Sequence, residues 1–291
     1  GRAGDAMSGE PATGTFAGWD GAPLFWQRWS APDRRAVLVN VHGLGDHSGR
    51  YPHLVQCFPA HGWSVRAFDT RGNGRSPGRR GHIGAWREFR DDLGAFLGHV
   101  RATEGDVPLV LLGNSLGGLM ALDFAIEHPE GLSGVAAAAP PLGDVGVPRP
   151  LVLLARLLTR VWPTYSRVTG MDLGNLARDP AIVQALIGDP LFHRAASARL
   201  GTETIDTIAS VHRRAARLAV PTLLLHGTGD RMVPIAGSRR LASGPARTHV
   251  TLREYAEAGH ALFVDWGYEE RLADLLAWGD ARTEHAGTTR V

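Results

Sequence analysis

Residues 107–124 read Val-Pro-Leu-Val-Leu-Leu-Gly-Asn-Ser-Leu-Gly-Gly-Leu-Met-Ala-Leu-Asp-Phe. An apolar run of strand length enters a turn marked by Gly113 and Gly117, and a helical pattern leaves it. Strand, sharp turn, helix is the setting of a nucleophile elbow, in which small residues let the turn tighten. The helix N-terminus then places positive potential beside the hydroxyl of Ser115. The same Gly-x-Ser-x-Gly pattern recurs at Gly74, Ser76 and Gly78, but with no strand before it and Pro77 straight after the serine. Ser115 is therefore read as the nucleophile and Ser76 as a structural turn residue.

Working toward the N-terminus, residues 36–41 read as a buried strand, 50–61 as a helix closed by Gly62, 64–68 as a strand and 86–101 as a helix. A hairpin over 13–30, turning at Asp20-Gly21, precedes them. In the other direction, the helix 116–128 stops at Pro129 and a strand follows at 134–139. Two later bursts, 220–225 and 248–252, and a helix at 269–278 complete the pattern. Such alternation implies an α/β fold with a mostly parallel sheet covered on both faces. Between Pro140 and Pro221 the strand signal vanishes, and 150–162, 180–187 and 195–218 read as helices. The expected organisation is a core from 1–140 and 220–291, with 141–219 inserted as a helical cap, or lid, over the strand ends where ligands of such sheets bind.

Composition narrows the classes of function. With 44% hydrophobic and 21% charged residues over 291 positions, the chain carries a large core and is not a disordered or collagen-like sequence. All 31 basic residues are arginine, set against 29 acids, and the two signs are interleaved. The densest groups, Arg75, Arg79 and Arg80, then Arg213, Arg214 and Arg217, come with no recognition motif, so nucleic acid is not an expected partner. Cys57 is the single cysteine and cannot form an intramolecular disulfide; within a predicted helix it reads as a packing residue. Residues 1–10 are small and polar, and the longest apolar stretch, 151–162, is broken by Arg156 and Arg160. A cytoplasmic protein without a membrane span is the expectation.

A serine hydroxyl needs a base, and the base an orienting acid. With an elbow serine, these follow in the order Ser, acid, His, each after a strand. Asp230 lies in a glycine turn after Leu223-Leu224-Leu225-His226-Gly227, and His260 follows the last strand in Glu257-Ala258-Gly259-His260. The catalytic set is thus Ser115, Asp230 and His260, with Asp265 as the fallback acid. An oxyanion hole needs two backbone N–H groups. They are assigned to Leu116, next to the nucleophile, and to Leu44 in the loop Val41-His42-Gly43-Leu44-Gly45. His42 reads as a buried loop-shaping residue. The set requires no metal and no cofactor, and no nucleotide fingerprint is present.

These residues also carry a resemblance. His42-Gly43-Leu44-Gly45-Asp46-His47-Ser48-Gly49-Arg50-Tyr51 resembles the HG-x-G-[ED]-HSGRY segment of monoacylglycerol lipases and bacterial lysophospholipases. The stretch from Asp69 to Ser76 resembles their D-x-RGHGRS, the elbow their GHSMGG, Asp189-Pro190-Leu191 their DPL segment, and Leu224 to Arg231 their LLxGxxDR. The likeness runs from about Leu24 to the last helix. It implies an α/β-hydrolase fold, an apolar tunnel under the cap and a serine hydrolase of fatty-acid monoesters. Two departures stand beside the site: Asn114 and Asn73 replace histidines of the family pattern. Within 151–162, Leu151, Leu153, Leu154, Leu157, Leu158, Val161 and Trp162 form a broad apolar surface at helical spacing. This surface is expected to pack against the core, with Leu151, Leu154 and Leu158 touching substrate; a transient contact of the cap with micelles or membranes is the other use of such a face.

Three functions compete. The first is hydrolysis of fatty-acid monoesters. The second keeps the mechanism but acts on short or aromatic monoesters, including ones with a free carboxylate, for which arginine is suited. The third is a catalytically dead binding protein, which has no need to retain the nucleophile, acid, base and two glycine turns together. Peptidase activity is unmotivated by the residues, and dehalogenation wants a carboxylate at position 115.

Overall fold

A computed structural model describes residues 10–144, 146–170 and 172–283. The expectations for the small polar start and for the end of the core fall, at 1–9 and 284–291, outside the described residues. Strands β1 (Ala12–Ala17) and β2 (Pro23–Trp29) form the expected hairpin, with Gly21 at φ 84° in its turn. The chain continues through β3 (Ala36–Val41), α1 (Pro52–Ala60), β4 (Trp63–Phe68), α2 (Arg87–Glu104), β5 (Leu109–Asn114), α3 (Leu116–Glu127) and β6 (Gly134–Ala138). Then come α4 (Arg149–Val161), β7 (Ser166–Val168), α5 (Pro180–Ile187), β8 (Ala195–Ser197) and α6 (Ala198–Arg214). The last elements are β9 (Thr222–Gly227), α7 (Ala236–Ser243), β10 (Val250–Tyr255) and α8 (Tyr268–Thr283).

Eight strands form one sheet in the order β1-β2-β4-β3-β5-β6-β9-β10, parallel from β4 onward and antiparallel at the β1–β2–β4 edge. The period of two along a strand divides the core. Val37 and Val39 of β3 point with Leu109 and Leu111 toward Phe89, Leu93 and Phe96 of α2 and the body of α3. Leu38, Val65, Val110 and Leu112 point to the other face, against Leu54 and Phe58 of α1 and Leu272 and Leu275 of α8. The chain leaves β3 toward β4 on one side and returns to β5 on the other. The strand order reverses there, and the crevice at the carboxyl ends of β3 and β5 is where such sheets bind ligands.

Two departures from the sequence reading lie between β6 and β9. Residues 195–197, expected to start a helix, instead pair as β8 with β7 in a small antiparallel ribbon. Three small or polar residues per strand are too few to show an alternating pattern. The expected packing of α4 against the core does not hold. No residue of α4 is buried; Leu151, Leu153, Leu154, Leu157 and Val161 are exposed, with Trp162 beyond its end. The helix leans on α6 through Thr159, hydrogen-bonded to Thr202, and through an Arg156–Asp206 ion pair. Its half-buried residues, Val152, Ala155, Leu158 and Thr159, share that side. A mixed seam, polar at Thr159 and Arg156, holds the helix down and leaves Leu151, Leu153, Leu154 and Leu157 outward. Among the described residues, no helix is long and apolar enough to cross a membrane.

Candidate active site

Ser115 sits between β5 and α3 with φ 51° and ψ −120°, a conformation a side chain adopts only when its surroundings over-determine it. Here they do. A Cβ on Gly113 would lie 2.1 Å from the Gly117 carbonyl oxygen, and one on Gly117 would lie 2.4 Å from that of Val41. The turn is therefore threaded between its own helix and the end of β3, and only glycine fits at either place. Ser115 N–H donates to the Ala138 carbonyl of β6 at 2.8 Å, which ties the elbow to the next strand. Leu116 opens α3, so its N–H is one of the four at a helix start without an intrahelical acceptor.

Asp230 follows β9 in a tight turn. Its Oδ1 accepts the N–H groups of Met232 and Val233, both at 2.9 Å, and its Oδ2 lies 2.7 Å from His260 Nδ1. The carboxylate cannot donate, so Nδ1 carries the proton and Nε2 of His260 is left as the basic nitrogen. Burial works against the charge on Asp230, but hydrogen bonds from His226 and His260 outweigh it and hold the carboxyl well below the usual carboxylate range.

A cavity of about 110 Å³ brings the pieces together: Ser115, His260, Leu44 and Gly43 all line it. Its apolar wall comes from Leu176, Leu186 and Phe192, supplied by the segment between β6 and β9, and from Leu262 and Phe263. Its polar side holds Asp46, Arg50, Tyr51 and Asn114. Tyr51 Oη donates to Asp46 at 3.1 Å, and Arg50 Nε lies 3.0 Å from the same carboxylate. Burial, and then the nearby Asp46, push the Tyr51 hydroxyl well above its ordinary value, so it stays a neutral donor. Leu151, Leu154 and Leu158 are not among the residues lining this cavity. A larger groove, about 610 Å³, lies between α6 and α7 over Leu142, Ile208 and Ala236 and is lined by none of Ser115, Asp230 and His260. Among the described residues, no cluster of three His, Cys, Asp or Glu side chains could hold a metal ion.

The remaining candidates fall into structural places. His42 is buried, with Nε2 accepting the Thr70 N–H at 3.0 Å and Nδ1 donating to the Gly43 carbonyl, and it shapes the loop before Leu44. Burial pushes its imidazole below its ordinary value, which keeps it neutral. Ser76 Oγ donates to the Asp69 carbonyl and accepts the Phe25 N–H, so the second pentapeptide spends its hydroxyl on backbone. Asp265 is held by Arg178 and the Asp179 N–H. Cys57 is half-buried and free. The two departures from the family pattern have partners: Asn114 Nδ2 donates to Asn40 Oδ1 at 2.7 Å, and Asn73 Oδ1 accepts from His193 Nε2 at 2.8 Å. Sequence reasoning passed over the tether beside His193, where His47 Nε2 lies 2.8 Å from Asp189. It gave no role to His226 and did not expect α7, whose pattern has no apolar period.

Comparison with known proteins gives the family. A family model described as serine aminopeptidase, S33, matches residues 32–266. The chain is 33% identical to a monoacylglycerol lipase of Mycolicibacterium smegmatis over 91% of its length and 95% of that protein. It is 32% identical to a monoglyceride lipase of Rattus norvegicus, covering 84% of this chain and 81% of the relative. The crystal structure of a Paleococcus ferrophilus monoacylglycerol lipase superposes with a TM-score of 0.82 at 35% identity, over 89% of this chain and 99% of that one.

Proposed function

The chain belongs to the serine aminopeptidase S33 family of α/β-hydrolases, with monoacylglycerol lipases among its relatives, and on that premise we propose that it cleaves monoesters of fatty acids. Ser115 Oγ attacks the ester carbonyl while His260 Nε2 takes its proton, and Asp230 holds the ring and stabilises the imidazolium. The oxyanion of the tetrahedral intermediate lies on the N–H groups of Leu44 and Leu116. His260 then protonates the leaving alcohol, and water repeats the sequence on the acyl-enzyme to release the acid. Residues 141–219 act as the cap, and their Leu176, Leu186 and Phe192 meet the acyl group. Asp46, Arg50 and Tyr51 receive the hydroxyls of the alcohol. The exposed leucines of α4, Leu151 and Leu154 included, serve for contact with a lipid aggregate.

The observation that carries this reading is one cavity holding a strained serine and a histidine whose Nδ1 is bound to a buried carboxylate, lined by apolar side chains together with Asp46, Arg50, Tyr51 and Asn114. The test is hydrolysis of monoacylglycerols from short to long, a lysophospholipid, a diacylglycerol and an aromatic monoester, wild type beside Ser115→Ala. Preference for monoacylglycerols, lost in the variant, is the expected result. A single observation favours the second reading, short or aromatic monoesters: the cavity, about 110 Å³, is smaller than clefts that hold long ligands. A maximum at short chains in the same panel would establish that reading instead.

A further inference from the structure

Behind the acid of the triad stands a second histidine to which the mechanism gives no role. His226, at the end of β9, has a fully buried side chain, and its Nε2 lies 2.9 Å from the Val233 carbonyl and 3.5 Å from Asp230 Oδ2. Its Nδ1 lies 2.8 Å from the hydroxyl of Ser238, itself fully buried on α7. The chemistry assigns the protons. A carbonyl only accepts, so Nε2 bears hydrogen; in the neutral ring Nδ1 is then an acceptor, and Ser238 donates to it. Val233 is gripped at both ends, its N–H by Asp230 Oδ1 and its carbonyl by His226. The turn 230–233 that aims Asp230 is therefore closed by His226 and not by Asp230 alone.

We propose that His226, its tautomer set by Ser238, is the positioning residue of the acid: it pins the 230–233 turn and keeps Asp230 Oδ2 directed at His260. This rests on the triad reading above. The groups facing the pair are few. From β10, Glu254 stands opposite His226 in register and is ion-paired with Arg239 of α7. The adjoining strand β6 brings only Ala137 and Ala138 beside the preceding Leu224 and Leu225, and Asp230 itself meets His260. If the turn relaxes, the carboxylate 2.7 Å from His260 stabilises the imidazolium less well.

Two near-isosteres separate positioning from packing. His226→Gln places an amide nitrogen where Nε2 was and retains the donor to Val233, whereas His226→Asn places one where Nδ1 was and loses it. With a dissolved short-chain monoester, the Asn variant is expected to lose about tenfold in kcat with KM within about twofold. The acid limb of its kcat/KM profile should move to lower pH, and the Gln variant should recover kcat to within about threefold with the wild-type limb. A folded Asn variant with wild-type kcat and limb overturns the proposal, as do Gln and Asn variants equally impaired with an unmoved limb. Should the Asn variant not fold, Ser238→Ala is measured in its place; a smaller fall with the limb moved the same way supports the proposal, and an unmoved profile overturns it. Fluorophosphonate labelling of the wild type and its absence in Ser115→Ala tests the triad separately, so failure of that reading is distinguishable from failure of this one.

Discussion

Helices α3 and α4 are both rich in large apolar residues, and they end in opposite environments. Every residue from Leu116 to Ile126 is buried, while α4 has no buried residue at all. The difference lies in what surrounds them. Helix α3 is packed against the sheet, α2 and α6, and its N-terminal turn is wedged under the end of β3. Helix α4 rests on α6 on the side of Val152, Ala155, Leu158 and Thr159, with a threonine pair and an ion pair there, while Leu151, Leu153, Leu154 and Leu157 face away from the protein. Apolar content alone therefore indicates that a face will avoid water, not which partner will cover it.

That contrast can be broken or sharpened by experiment. At the start of α3, Ser115→Ala is expected to lower kcat by on the order of 10³-fold or more without loss of stability, read by ester hydrolysis and thermal unfolding. The other serine of the repeated pentapeptide should behave in the reverse way: Ser76→Ala leaves an N–H and a carbonyl unsatisfied and costs about 1–3 kcal/mol in urea unfolding, with kcat nearly unchanged. Gly117→Ala drives a methyl toward the backbone oxygens of Val41 and His42, at 2.4 and 2.5 Å. It should cost about 1–3 kcal/mol and lower kcat by displacing the loop that carries Leu44. Gly98, in α2 with nothing within 4 Å of an added Cβ, is the control and should tolerate alanine or gain from it.

Acid titration gives a smaller effect. Because the folded state holds the Asp230 carboxyl below its ordinary value, its contribution to stability is present above about pH 4 and fades as pH falls toward the folded value. Asp230→Asn should therefore lose less stability than wild type between neutral pH and pH 3, measured by urea midpoints. The smallest effect on stability belongs to α4. Leu153→Ser together with Leu157→Ser should change unfolding free energy by no more than about 0.5 kcal/mol per site. The same change should slow hydrolysis of a micellar monoacylglycerol and leave a dissolved ester unaffected; equal rates on both would remove the proposed lipid contact.

Much of this architecture was legible in the residues. Strands β3, β5, β6 and β9 are buried on both faces, so each carries a continuous apolar run, and the elbow is visible because Gly113 and Gly117 flank its serine. The candidate site was legible where spacing within one turn defines it, as at Leu44, Ser115 and Leu116, and where chain order does, as at Asp230 and His260. Helix α7 and the β7–β8 ribbon were not, since elements this short, with a single large apolar residue at most, have no period to read.

Local sequence thus determined the strand–helix alternation, the two glycine-bounded serines and the order of the candidate residues Ser115, Asp230 and His260, because each depends on backbone sterics or on burial within a few residues. Tertiary structure alone gave the Ser76 hydroxyl its partners, the Asp69 carbonyl and the Phe25 N–H. It also placed Asp46 and Arg50 beside Leu176 and Phe192, turned the α4 leucines outward, and set Ser238 and His226 behind Asp230. Those outcomes depend on residues distant in sequence competing for the same hydrogen bonds and the same buried space, and no short window of the chain contains both competitors.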